Sequence, residues 1–117
     1  MNQPLRDKNC AVCKTGGTPL KGIVLSEMKK QIDPSWEVVN DHHLLKSYKF
    51  KDFISGLKFV NAIGELAEKE GHHPDLFLSY TKVEVKLFTH KIKGLSESDF
   101  VMADKIDALY AFYQNPS

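Results

Sequence analysis

Three histidines, His72, His73 and His90, stand close together in the sequence, and a carboxylate flanks them on each side, Glu68 before and Asp99 after. Imidazole takes up and releases a proton near neutral pH, and a neighbouring carboxylate fixes its tautomer, so this grouping suits general acid–base catalysis. Proton transfer of that kind contributes on the order of 10²–10⁴-fold, enough for a reaction that needs only loss of water or enolisation. Other chemistries fit less well. Histidine is a common zinc ligand, but adjacent histidines point in different directions and the HExxH helical spacing is absent. Nucleophilic catalysis lacks its parts, because Cys10 and Cys13 are far from the cluster in sequence and no serine stands in a GxSxG turn. The expectation is a site without a metal.

These groups need a scaffold that delivers them to one place. Gly71 loosens the backbone and Pro74 restricts the residue before it, so His72 and His73 belong on a turn. The helix leading into that turn runs from an N-cap at Asp52 to Gly71. Its expected apolar stripe is Phe53, Leu57, Val60, Gly64 and Ala67, flanked by Ile54, Ile63 and Leu66. Glu68 lies on its last turn, four residues before His72, where helical spacing lets the two meet. Beyond Pro74, Leu76–Tyr80 and Lys82–Thr89 read as strands. In the second, Val83, Val85 and Leu87 share one face while Glu84, Lys86 and Phe88 share the other, and His90 keeps the parity of Phe88. Lys91 to Leu95 reads as loop. Ser96 and Asp99 have capping-box spacing, and Phe100, Ala103, Ile106, Asp107 and Tyr110 continue as a helix.

Upstream, residues 1–19 hold Gly16-Gly17 and two prolines without apolar periodicity, which predicts a loop-rich arm and leaves residues 20–117 as a single domain. Within the arm, Cys10-Ala-Val-Cys13 has three readings: a redox pair, half of a zinc site completed by His42, His43 or a second chain, or two free thiols. The polar surroundings favour the last. Leu20, Val24, Met28 and Ile32 form the stripe of a short helix ended by Asp33-Pro34. Trp36–Asn40 and Leu44–Phe50 form a hairpin around Asn40-Asp41, with His42 and His43 as exposed residues of its tip. The order predicts an α+β fold, a four-stranded antiparallel sheet with helices packed on one face. That is a two-layer sandwich with a ββαββα core plus a short N-terminal helix. An uncovered sheet edge would suit an oligomer interface.

Charge narrows the partners. Lysine and arginine total 16 against 15 acids, interspersed along the chain, so no long-range field recruits nucleic acid or an anionic membrane. No apolar run approaches the roughly 20 residues needed to span a bilayer, and the polar start lacks a signal-peptide core, which makes the cytoplasm the expected location.

Glu68-x-x-x-His72-His73-Pro74, five residues, Tyr80, nine residues, His90, eight residues and Asp99 together resemble the signature of the pterin-4a-carbinolamine dehydratases, also called 4a-hydroxytetrahydrobiopterin dehydratases. The resemblance extends through Trp36-Glu37, Tyr48-Lys-Phe50-Lys-Asp-Phe53, Phe59-Val60, Val83, Thr89-His90, Gly94-Leu95 and Ala103-x-x-Ile106-Asp107, about residues 20–110. It implies the same sheet-and-helix fold, assembled as a homodimer or homotetramer. It also implies a reaction that removes water from the 4a-hydroxytetrahydropterin released by aromatic amino-acid hydroxylases, giving quinonoid dihydropterin. The setting would be tetrahydrobiopterin recycling, with a functional link to phenylalanine hydroxylase, and the pterin would be the substrate with no further cofactor.

By motif position, His72 and His90 would be the acid–base pair, Glu68 would position and tune His72, and His73 would bind and orient the pterin ring. Pro74, Tyr80, Thr89 and Asp99 would complete the substrate-binding set, although helix capping explains Asp99 equally well and packing under the strand explains Tyr80. Two residues after Pro74 this chain has Leu76, where animal members carry tryptophan. Animal members also act as a dimerisation cofactor for a homeodomain transcription factor, so the alternative is a non-catalytic pterin-binding or regulatory partner protein.

Overall fold

The computed structural model describes residues 18–114. Its elements are α1 (Gly22–Lys29), β1 (Glu37–Val39), β2 (His43–Lys49), α2 (Phe53–Glu70), β3 (Asp75–Ser79), β4 (Lys82–Leu87), a 3-10 turn (His90–Ile92) and α3 (Glu97–Gln114), in the expected order. The expected arm falls, for residues 1–17, outside the described residues, and Cys10 and Cys13 with it.

The strands form one antiparallel sheet in the order β1-β2-β4-β3, which gives the expected α+β architecture. Leu44 lies opposite Leu87 and Tyr48 opposite Val83, so the period-two alternation of both strands turns one apolar row inward. Leu44, Tyr48, Val83, Val85 and Leu87 are buried there against Phe59 and Ile63 of α2 and Phe100 and Ile106 of α3. Full burial of one such side chain stabilises by about 1.5–3 kcal/mol. The β1–β2 connection carries Asn40 and Asp41, both at φ 53°, and the His42 N–H donates to Val39 O at 2.9 Å. Two left-handed central residues are what a type I′ turn requires, and Asn and Asp tolerate that conformation.

Helix faces differ from the expected stripes. In α1 the inward residue is Leu25, 6% exposed, while Val24 is 56% exposed. The helix begins only at Gly22 and ends at Lys29, so Leu20 and Ile32 lie outside it and cannot share its phase. In α2 the buried row is Gly56, Phe59, Ala62, Ile63 and Ala67, and Phe53 and Ile54 face solvent. Gly56 lies in that row without a side chain, and a Cβ there would stand 3.3 Å from Leu78 Cδ1, so the bare backbone lets the helix pack closely against the sheet. The end caps follow expectation, with Asp52 accepting from the Ser55 N–H at 2.9 Å and Gly71 closing the helix at φ 68°.

Midway along α3, Asp107 ties the helix to the β1–β2 region. It accepts from Trp36 Nε1 at 3.0 Å, Lys46 Nζ at 2.8 Å and Tyr48 OH at 2.6 Å. Among the described residues no helix is long and apolar enough to cross a membrane.

Candidate active site

The left-handed Gly71 decides which way each histidine points. Its N–H and that of His72 both donate to Ala67 O, at 2.9 and 3.2 Å, which stops α2 and swings the chain inward. His72 is consequently buried, 5% exposed, and His73 is left facing solvent. Pro74 then carries the extended backbone into β3.

His72 Nε2 lies 2.6 Å from Asp99 Oδ1, and Asp99 is fully buried at 0% exposure. The other carboxylate oxygen, Oδ2, accepts from Thr89 Oγ1 at 2.8 Å and from the Ser96 N–H at 2.9 Å. The Thr89 hydroxyl has one proton and spends it on Asp99, so the 2.7 Å contact between Thr89 Oγ1 and Ser96 Oγ has the serine donating. Every donor in this network points toward the carboxylate, which requires His72 to present N–H at Nε2. The neutral ring then carries its lone pair at Nδ1. Asp99 thus does two things: it caps the first turn of α3 and it fixes the tautomer of His72.

Four of the expected site residues have surroundings that the sequence did not reveal. Glu68 meets His73 and not His72, its Oε2 lying 2.5 Å from His73 Nε2 with both side chains largely exposed. The four-residue spacing holds only while the helix continues, and Gly71 breaks the phase one residue before His72. Thr89 and Asp99, expected in the substrate-binding set, are both buried and bonded to each other. Tyr80, 76% exposed, occupies the β3–β4 turn at the opposite end of that hairpin from Asp75 and the histidines. The five residues of β3 put roughly 13–16 Å of strand between them. Within one chain Tyr80 does not join the cluster.

His90 opens the 3-10 turn directly after Thr89, exposed, its ring 4.1 Å from that of Phe88 between centroids. The Asp99 carboxylate thus bonds His72 directly and also holds Thr89, the residue that precedes His90.

Two residues read from the sequence as solvated hairpin tip come to the same place. His42 and His43 face each other Nδ1 to Nδ1 at 3.0 Å, and the His42 ring lies 4.7 Å from that of Phe88. Burial, then the positive charge of Lys86 and the neighbouring His42, push the His43 imidazole below its usual range, and Asp75 partly opposes them. The signal that finds them is strand register, because Leu44 opposite Leu87 sets the hairpin tip beside Phe88. Among the described residues no group of three or more His, Cys, Asp and Glu side chains is arranged to hold a metal ion.

Comparison with known proteins gives a family match and two structural likenesses. The family described as pterin 4 alpha carbinolamine dehydratase matches residues 21–109. A protein of Alkaliphilus metalliredigens, provisionally named pterin-4-alpha-carbinolamine dehydratase, is 52% identical over 103 residues, 88% of this chain and 93% of that protein. The crystal structure of a transcriptional coactivator/pterin dehydratase from Brucella melitensis superposes with a TM-score of 0.73 at 34% identity, covering 79% of this chain and 98% of the other. A pterin dehydratase-like protein identified as a RuBisCO assembly factor in the alpha-carboxysome superposes with a TM-score of 0.56 at 26% identity, covering 64% of this chain and 88% of the other.

Proposed function

This chain belongs to the pterin 4 alpha carbinolamine dehydratase family, and on that premise we propose that it dehydrates a 4a-hydroxytetrahydropterin by histidine acid–base catalysis. An acid protonates the 4a-hydroxyl, the C4a–O bond breaks and water leaves. A base takes the N5 proton, and the electron pair released closes the C4a=N5 bond of quinonoid dihydropterin. No electron is gained or lost overall, so the reaction draws on no redox cofactor. His72 and His90 form the acid–base pair, and His73, paired with Glu68, orients the pterin.

The observation that carries this reading is the buried Asp99 carboxylate, bonded to His72 at 2.6 Å and to the Thr89 that precedes His90. A fold that needed Asp99 only as a helix cap would have no use for an imidazole on its second oxygen. The substrate class places the enzyme after aromatic amino-acid hydroxylation, in tetrahydrobiopterin recycling beside an enzyme such as phenylalanine hydroxylase. The working form is a cytoplasmic homodimer or homotetramer.

The test is dehydration of freshly generated 4a-hydroxytetrahydrobiopterin, followed by absorbance after EDTA treatment. The combined His72→Ala and His90→Ala substitutions remove most of the acceleration, about 10²-fold or more, while pterin still binds. His73→Ala chiefly raises KM. Normal dehydration by the double variant sinks the assignment. The names of the Brucella coactivator and the carboxysome assembly factor support a second reading, a pterin-binding partner protein, and binding without acceleration by the unaltered protein would favour it.

A further inference from the structure

On the sheet face away from the helices, a row of rings leads from the β1–β2 turn to His90. His43 and His42 are joined Nδ1 to Nδ1 at 3.0 Å, the His42 and Phe88 rings lie 4.7 Å apart and tilted by 37°, and Phe88 and His90 lie 4.1 Å apart and tilted by 42°. The row is a product of register. With Val39 opposite His43 and Leu44 opposite Leu87, the turn overhangs the end of β4 where Phe88 and His90 leave the ladder. Asn40 and Asp41, both at φ 53°, give the turn the conformation that brings His42 over that end.

His90 needs such support. It is an exposed side chain on a 3-10 turn of three residues, where solvent offers its ring several rotamers. Phe88 is only half-buried, on a face that no helix covers, and touches both His90 and His42. His42 is in turn packed edge-on against the His43 ring, with centroids 5.3 Å apart, a contact that any flat ring at position 42 can make.

We propose that His42 is a positioning residue for the reaction, holding Phe88 in place so that Phe88 fixes the ring of His90. This deepens the dehydratase reading and rests on it for the role of His90, but the packing itself is independent of that role. The requirement on His42 is a flat ring, not an ionisable one.

The test combines the imidazole resonances of His90 with steady-state kinetics, in the unaltered protein and in His42→Ala, His42→Phe, Phe88→Ala and the His42→Ala/Phe88→Ala double variant. His42→Ala is expected to shift the His90 Cε1–H resonance toward its position in an unstructured peptide and to lower kcat about 3- to 10-fold, the range set by loss of one ring–ring contact, with KM within twofold. His42→Phe restores both. Phe88→Ala reproduces the shift, and adding His42→Ala to it does nothing more, because the two act in series. A His90 resonance unmoved by His42→Ala overturns the proposal, as does a phenylalanine variant that fails to restore what alanine removed. If the unaltered protein shows no dehydratase activity, the reading of the reaction fails while the resonance still decides whether His42 positions His90.

Discussion

Helix α3 carries two aspartates that use one device to different ends. Asp99 collects His72 Nε2, Thr89 Oγ1 and the Ser96 N–H, and Asp107 collects Trp36 Nε1, Lys46 Nζ and Tyr48 OH. Each carboxylate is satisfied by three donors, as a poorly hydrated charge must be. The difference lies in what the donors can become. Around Asp107 the compensating charge is a lysine, 11% exposed, which also lies 3.7 Å from Asp33, and the other donors are the polar ends of buried aromatics. Around Asp99 the partner able to bear charge is an imidazole, the one side chain type that changes its charge in the working pH range without help. On the proposed reading, such a carboxylate becomes part of a site when its partner can give its proton away; with a partner that cannot, the same bonds hold the fold.

That contrast can be broken most severely at Asp107. Asp107→Ala leaves Lys46 nearly buried with only the more distant Asp33 and strips an acceptor from Trp36 and Tyr48, so we expect a loss of about 3–5 kcal/mol in urea denaturation. The kcat of the protein that remains folded should stay within twofold. Asp99→Asn inverts the pattern: an amide still supplies an oxygen to the cap but cannot hold the His72 tautomer as a carboxylate does. We expect kcat to fall about 10²-fold, equivalent to about 2.7 kcal/mol, with only about 1 kcal/mol of stability lost. Comparable stability losses in the two variants, or a larger kinetic loss in the Asp107 variant, would erase the distinction.

The smallest effect sharpens the comparison through pH. Burial, and then the Asp107 carboxylate, push the Tyr48 hydroxyl above the ordinary tyrosine range, and burial raises Tyr110 as well. A raised value in the folded state means that the neutral phenols contribute stability in full below about pH 10 and lose it as pH rises further, because the unfolded chain ionises first. Tyr48→Phe should cost about 1 kcal/mol at neutral pH and flatten the alkaline fall, so that the two denaturation curves converge above about pH 10. No such convergence is expected for variants at Asp99.

Much of this was legible in the sequence where the information is local. The Asp52 cap, the Gly71 stop and the Asp99-to-Ser96 half of the capping box all appear as read. What escaped depends on contacts between segments distant in sequence. The buried row of α2 includes Gly56, which lies against Leu78 and Val83, and a glycine contributes nothing to an apolar stripe. Glu68 pairs with His73 because one left-handed residue resets the phase of the chain. The encounter of His42 with Phe88 follows from the pairing of β2 with β4, which are separated by a helix and a strand. The role of Asp99 was half visible: its cap is a local pattern, its bond to His72 is not.

The double duty of Asp99 bears on how kindred sequences should be interpreted. A lineage that had given up the reaction would still be held to this aspartate, since losing it would uncap α3 at Ser96. His90 is under no such restraint, because its exposed ring rests on Phe88 and takes no part in the core. Drift after loss of activity should therefore erase the second residue long before the first. On the reading proposed above, an aspartate at this position marks a chain that folds, and a histidine at position 90 marks one that keeps the proposed acid–base chemistry.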